Sequence, residues 1–310
     1  MRLMHAALLP LLIIAALAAP SFAAKPAKPA KPRSMQDILD SSAPGDWRTL
    51  DPANTVYLEL ERASGRVVIE LAPAFAPQHV ANIRTLAHGG YWNGLSINRS
   101  QDNFVVQWGD PAEDEKQRKP LGGAKAKLPA EFARSSAGLR FHALPDKDGW
   151  APQVGFVDGF QAARDPKAQS AWLAHCYGVV GAGRDVAADS SNGTELYVVT
   201  GQSPRQLDRN ITVVGRVVQG MDKLSVLPRG TGPLGFYEKP EQRVAIKSIH
   251  LAADLPEAER TPLQVLRTDT ALFDELVEAR RNRRDDRYKL PAGHIDLCNI
   301  PLPTRAADKP

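Results

Sequence analysis

Across residues 56–71 apolar and polar residues alternate, VYLELERASGRVVIEL, with one interruption at Ala63-Ser64-Gly65. A period of two places every second side chain on one face of an extended strand, so this stretch predicts a β-hairpin with a glycine-containing turn. The period changes in APQHVANIRTLAHGG, where Pro77 suits a first helical turn, Val80, Ile83 and Leu86 form one stripe, and Gly89-Gly90 end it. An amphipathic helix of about three turns follows from that spacing. Strand-like stretches recur at 95–99, 104–108, 177–182, 194–200, 211–218 and 243–251, with a short helix over 221–227. Many strands with only two helices, which do not alternate with them, predict a mainly β fold. The expected architecture is a closed eight-stranded antiparallel barrel capped by two helices, not a wound parallel sheet.

Two regions depart from the pattern. Residues 111–175 hold scattered aromatics with poor periodicity and read as a long loop insertion within a barrel domain spanning 51–252. After residue 252 the composition shifts: Leu272, Phe273, Leu276 and Val277 make a helical stripe, and Arg280, Arg281, Arg283 and Arg284 a solvated helix end. Residues 253–310 are therefore expected to be a helical C-terminal extension packing on the barrel.

The first 23 residues change where the protein is expected to work. Arg2, an apolar run from Ala6 to Ala19, and small residues at Ser21 and Ala23 read as a secretory signal cut near Ala23. The run is too short for a comfortable membrane span, so no integral membrane segment is expected after cleavage. A Pro/Lys-rich linker is expected over 24–50; its repeat AKPAKPAKPRS cannot build a core and reads as an extended, solvated spacer. Loss of Arg2 with the signal takes the formal charge from +4 to +3, which calls for no nucleic acid. At 43% hydrophobic and 24% charged residues, the middle of the 310-residue chain can bury a sizeable core, leaving disorder to the ends. Cys176 and Cys298 would close a loop of 122 residues (298 − 176) if paired in an oxidising compartment; otherwise they are two buried thiols.

Several familiar chemistries find no support. Gly181-Ala182-Gly183 follows two β-branched residues, but Val186 stands where a dinucleotide fingerprint needs its third glycine, and a turn follows. No two histidines have metal-ligand spacing, and no Gly-x-Ser-x-Gly occurs. What remains is INRSQDNFVVQWGD, residues 97–110, in which Arg99 ends one strand and Phe104, Val105 and Gln107 lie on the next. Taken singly, Arg99 fits a surface ion pair, and Phe104, Tyr197 and Leu207 fit core packing. Arg99 followed by Phe104, Val105 and Gln107 on the next strand gives an apolar wall beside a fixed cation with five donors. Rotation about an Xaa-Pro bond has a barrier of about 18–20 kcal/mol, set by amide resonance, and makes or cuts no bond. A guanidinium that hydrogen-bonds the twisting proline nitrogen, in a slot that grips the ring, favours the twisted state without a cofactor.

At this point a family likeness emerges. LAPAFAPQHVANIRTLAHGGYWNGLSINRSQDNFVVQWGDP, SSNGTELYVVTG and LDRNITVVGRVVQGMD resemble, in order, segments of the cyclophilin peptidyl-prolyl isomerases, over about residues 55 to 252. The resemblance implies that Arg99 is the catalytic arginine. It also implies that Phe104 and Val105 floor the proline pocket, that Gln107 bonds the substrate backbone and braces Arg99, and that Tyr197 and Leu207 complete the pocket. Gly183 and Arg184 would line the groove for the residue before proline, with Glu195 where a glutamine is usual. Glu195 is expected to pair with Arg99 or Arg184, and pairing with Arg99 would hold the guanidinium out of position. Gln206 and Ile211, standing where many members have Trp and His, imply weak cyclosporin binding. The implied activity is isomerisation of proline-containing polypeptides by an exported, periplasmic monomer. The alternative is a proline-peptide binding module or holdase that has lost efficient catalysis.

Overall fold

The computed structural model describes residues 33–61, 65–112, 114–285 and 287–307. The expected signal, the Lys-Pro repeat up to residue 32 and the expected hairpin turn at Ala63-Ser64 lie outside these residues. In chain order, the N-terminal segment carries α1 (Met35–Asp40) and β1 (Trp47–Thr49). The barrel begins with β2 (Thr55–Leu60), β3 (Arg66–Leu71), α2 (Pro77–His88), β4 (Ser96–Ser100) and β5 (Val105–Gly109). The insertion supplies β6 (Arg134–Ser135), β7 (His142–Ala143), β8 (Gln153–Val157), β9 (Phe160–Asp165) and β10 (Ser170–Leu173). The chain returns to the barrel with β11 (Val179–Ala182), β12 (Leu196–Val199), β13 (Val213–Gln219), α3 (Met221–Ser225) and β14 (Val244–Leu251). It then forms β15 (Leu263–Leu266), α4 (Ala271–Arg281) and β16 (Thr304–Ala306).

Eight strands close on one another in the order β11-β12-β5-β4-β14-β2-β3-β13, and β13 pairs back onto β11. Every ladder is antiparallel, and closure leaves no strand edge unpaired. The period of two does the sorting. Val56, Leu58 and Leu60 of β2, Val67, Ile69 and Leu71 of β3, and Val106 and Trp108 of β5 are buried in one cluster, into which α2 lays Val80, Ile83 and Leu86.

Residues 111–175 are more than the loop expected of them. They fold an antiparallel five-stranded sheet, β6-β10-β9-β8-β7. Its strands are short, and Ala162, Ala163 and Ala171 occupy three of its buried positions, so those stretches carry little apolar contrast. Between β8 and β9 the turn is Asp158-Gly159, with φ of 49° and 87° and Val157 opposite Phe160. Both central residues being left-handed is the two-residue hairpin geometry that favours Asp-Gly.

This sheet builds a second core with the chain's two ends. Phe156 meets Phe273 of α4 edge to face at 5.0 Å, and Ile38, Trp47, Trp172, Leu276 and Ile300 join the same cluster. The extension therefore packs on the insertion as well as on the barrel, where Leu263 and Val265 of β15 cover Tyr57 and Val68. The expected linker is structured from residue 33 onward: Ser34 and Asp37 form a capping box on α1, and β1 pairs with β15 in a sheet that β16 completes. Cys176 and Cys298 are joined, which ties the start of the β11 segment to the extension. An ion cluster centred on the buried pair Glu70–Arg216 joins barrel, insertion and N-terminal segment: Glu70 on β3 receives Arg216 of β13 at 3.1 Å and the half-exposed Arg48 of β1 at 2.5 Å, while Arg48 also donates to the Asp158 carbonyl at 2.8 Å. Among the described residues no helix is long and apolar enough to cross a membrane.

Candidate active site

Arg99 is aimed by a bulge. In the β4–β5 ladder Ile97 faces Trp108 and Arg99 faces Gln107, so Asn98 is an extra residue in β4. Were the strand regular, Arg99 would share the inward face of Ile97 two residues earlier; the bulge instead sets it on the outer face opposite Gln107. Asn98 is buried and donates to the Gly109 carbonyl at 3.0 Å, which holds the bulge in place. On the other side of β5, Tyr197 lies opposite Gln107, and Val199 opposite Val105. Register therefore assembles Arg99, Gln107 and Tyr197 on one outer surface.

The guanidinium of Arg99 is held on three sides. Nε donates to the Leu234 carbonyl at 2.7 Å, Nη1 to Gln107 Oε1 at 3.2 Å, and Nη2 to Gln101 Oε1. Its carbon lies 5.4 Å from the Phe104 ring centre and 5.3 Å from that of Phe236. Of its five N–H groups, one on each terminal nitrogen is left without a partner among the described residues. Burial lowers its pKa from the ordinary arginine value. The loop that supplies Leu234 is strained: Leu234 has φ of 55°, a left-handed conformation that β-carbon-bearing residues seldom adopt. Beside it Gly235, at φ 79°, sits so close to Gln101 that a β-carbon would lie 2.6 Å from the Gln101 Cα. Gln101, Leu234 and Phe236 were not among the expected site residues. Phe236 carried no signal in its own neighbourhood, because an isolated bridge to Arg99, from a loop 137 positions on (236 − 99), puts it there.

Val105 and Tyr197 are buried, and Phe104 is half-buried against the same second core. Tyr197 is fixed by its hydroxyl, which lies 2.9 Å from His175 Nε2. His175 lies 3.1 Å from Asp208, and Arg205 binds Asp208 at 2.7 Å and Asp148 at 3.0 Å, all four side chains being buried. Burial, then the charge of Asp208, pushes the Tyr197 hydroxyl pKa well up. Leu207 is half-buried in a short turn of helix (Arg205–Leu207), flanked on both sides by members of this network. Thus Asp148 and His175 of the insertion hold the segment that presents Leu207 and the ring of Tyr197. Neither was foreseeable from spacing, since 27 residues separate them (175 − 148) and neither adjoins a pocket residue in sequence.

Glu195 pairs with neither arginine. Its Oε2 accepts from Gln107 Nε2 at 3.4 Å, on the opposite end of the amide from Arg99. The carboxylate lies across Gly109, where a β-carbon would come within 2.2 Å of Oε1, so only glycine there leaves it room. Burial raises its pKa to about 7; the Gln107 bond and Arg118 lower it by less than burial raises it, and Asp110 and Asp185 add smaller upward effects. Arg184 is directed elsewhere: it donates to the carbonyls of Asn210, Asp185 and Val186 and lies over the Phe132 ring at 5.6 Å. The expected pairing fails because Gln107 stands between Glu195 and Arg99, and backbone carbonyls satisfy Arg184. Gly183 does sit beside Glu195 and Gln107, at the edge of a polar groove of about 570 Å³ that also takes in Tyr91, Arg118 and Tyr237.

The arrangement offers a braced cation with two N–H groups to give, set against an aromatic ring, and a polar groove continuing along the strand. The sequence model described as cyclophilin type peptidyl-prolyl cis-trans isomerase/CLD matches residues 55–251. The chain is 30% identical over 188 residues to a protein of Brucella suis biovar 1 (strain 1330) named "Probable peptidyl-prolyl cis-trans isomerase", covering 58% of this chain and 74% of that one. A protein of the same name from Brucella melitensis biotype 1 matches with the same figures: 30% over 188 residues, 58% and 74%. Among solved structures, a cyclophilin from Hirschia baltica is similar at TM-score 0.68 and 27% identity, over 89% of this chain and 99% of that one.

Proposed function

Because the chain belongs to the cyclophilin-type peptidyl-prolyl cis-trans isomerases, we propose that Arg99 carries the reaction by donating to the nitrogen of a twisting Xaa-Pro bond. The single observation behind this assignment is the seat of the guanidinium: it is 5.4 Å from the Phe104 ring, braced by Gln107, with two N–H groups left to donate. Loss of amide resonance localises the lone pair on the proline nitrogen, and that lone pair accepts from the arginine only in the twisted state. A fixed donor in a partly buried site acts there without first having to reorganise. Phe104, Val105, Tyr197 and Leu207 would grip the proline ring, and Gln107 would align the substrate backbone.

The substrates would be proline-containing segments of exported polypeptides, met in a bacterial periplasm. The signal-like first 23 residues support that setting. So does the bond between Cys176 and Cys298, since structural disulfides persist in oxidising compartments.

The test is cis-trans exchange of a blocked proline tetrapeptide, followed by NMR, with the mature protein and with Arg99→Ala. We expect kcat/KM to fall about 10²- to 10³-fold in the variant, as for removal of one transition-state donor. An Arg99→Ala protein as active as its parent would overturn the assignment. A parent that binds the peptide without accelerating exchange would mark the chain as a binding module.

A further inference from the structure

We propose that Glu195 is a positioning residue for Arg99, acting through Gln107: ionised, it holds the guanidinium firmly in its seat, and protonated, it lets it loosen. The inference rests on the assignment of Arg99 above.

Three groups stand in line. Glu195 Oε2 accepts from Gln107 Nε2 at 3.4 Å, and Gln107 Oε1 accepts from Arg99 Nη1 at 3.2 Å. An amide with a carboxylate at its N–H end is polarised toward its oxygen, which strengthens the bond that this oxygen accepts. The carboxylate also settles which way the amide faces. An ionised acid only accepts, so Nε2 must point at Glu195 and Oε1 at Arg99. A protonated acid carries an O–H that competes for Oε1, and the amide loses its reason to face one way. A neutral glutamine at position 195 could accept or donate at any pH and would impose no such dependence.

The site also explains why this acid can titrate near neutrality. Its carboxyl is lodged over Gly109 and beside Gly183, in the polar groove rather than in open solvent. Asp110, at the end of β5, and Asp185, after β11, oppose its charge, and Arg118 from the insertion favours it. Arg184, Glu238 and Arg243 complete the charged lining, and Tyr91 and Tyr237 are its phenols. No histidine lines this groove among the described residues.

The experiment is a pH series of kcat/KM from 5.5 to 8.5 on a blocked tetrapeptide without ionisable side chains, for the mature protein, Glu195→Gln and Arg99→Ala. In parallel, the Arg99 side-chain N–H signals are titrated by NMR in the first two. The parent should rise about three- to tenfold with pH, the size expected for strengthening one charge-assisted hydrogen bond, with its midpoint near 7. Its Arg99 signals should shift with the same midpoint, and Glu195→Gln should be flat in both readouts. A transition that persists in Glu195→Gln belongs to another group and overturns the proposal, as does a parent flat in both. Should Arg99→Ala match the parent, the catalytic assignment fails. The NMR titration still decides whether Glu195 governs the guanidinium, because it does not depend on turnover.

Discussion

The barrel and the second core bury comparable side chains by different routes. In the barrel interior buried residues recur every second position, as Val56, Leu58 and Leu60 do, and the ladder closes on itself. The second core draws Ile38 and Trp47 from one end of the chain, Phe156 and Trp172 from the insertion, and Phe273 and Ile300 from the other end. It also covers Val105, Tyr197 and Val199, which are outward-facing residues of the barrel. The proposed catalytic surface thus lies where the two meet: Arg99 and Gln107 come from the barrel, while Tyr197 is fixed by His175 at the end of the insertion. The lesson is that the insertion is part of the site's framework, so damage to the second core should be felt at the proline slot.

The strongest way to break the comparison is to cut the covalent tie. Replacing Cys176 and Cys298 by serine frees a closure spanning 122 residues. The chain-entropy account gives about 4–5 kcal/mol of lost stability, as an upper figure. Urea unfolding followed by tryptophan fluorescence and by far-ultraviolet circular dichroism checks it. Two separated transitions would show that the second core melts alone, and one displaced transition that it and the barrel unfold together; we expect the latter.

Next in size is the ion cluster where the three parts join. Glu70→Gln leaves Arg216 buried without its carboxylate partner and should cost about 3 kcal/mol. The same denaturant curves measure it, and a loss below about 1 kcal/mol would mean that the cluster does not hold the parts together.

The smallest effect sharpens the contrast, because acids of the two regions respond to pH with opposite sign. Glu195 has a folded pKa raised from 4.5 to about 7. Its contribution to stability is full below 4.5 and disappears as pH rises through about 7; it is at most about 3 kcal/mol. Asp208 is lowered below 3.8: burial alone would raise it, but the His175 bond and the charge of Arg205 outweigh that. Its contribution is present above 3.8 and is lost as pH falls through the lower folded value. Melting temperatures from pH 3 to 8 should therefore pass through a maximum near pH 4–5, and Glu195→Gln should flatten the high-pH side alone. A parent whose stability climbs steadily from pH 5 to 7 would contradict the buried, protonated acid.

Much of the candidate site could be read from one dimension. Phe104, Val105 and Gln107 stand out as an apolar stretch broken by one amide on the strand after Arg99, and the family likeness supplies their roles. The insertion was harder, since alanine-rich strands such as β9 show little apolar contrast, although Asp158-Gly159 between Val157 and Phe160 is a hairpin signal that the sequence does contain. Glu195 drew attention by its charge, yet its partner did not follow from that charge. Gln107 intervenes, and burial keeps the acid from behaving like an exposed carboxylate.

The alternation of side chains is a property of each strand on its own, so the amino-acid order was enough to specify a barrel and the residues that fill it. Which outward residues become a working site depends on contacts between distant segments. A bulge at Asn98 turns Arg99 outward, a strained loop brings Leu234 and Phe236 to it, and an insertion histidine fixes Tyr197. Those are relations of register and packing, which exist only once the ladder has closed and the second core has assembled against it.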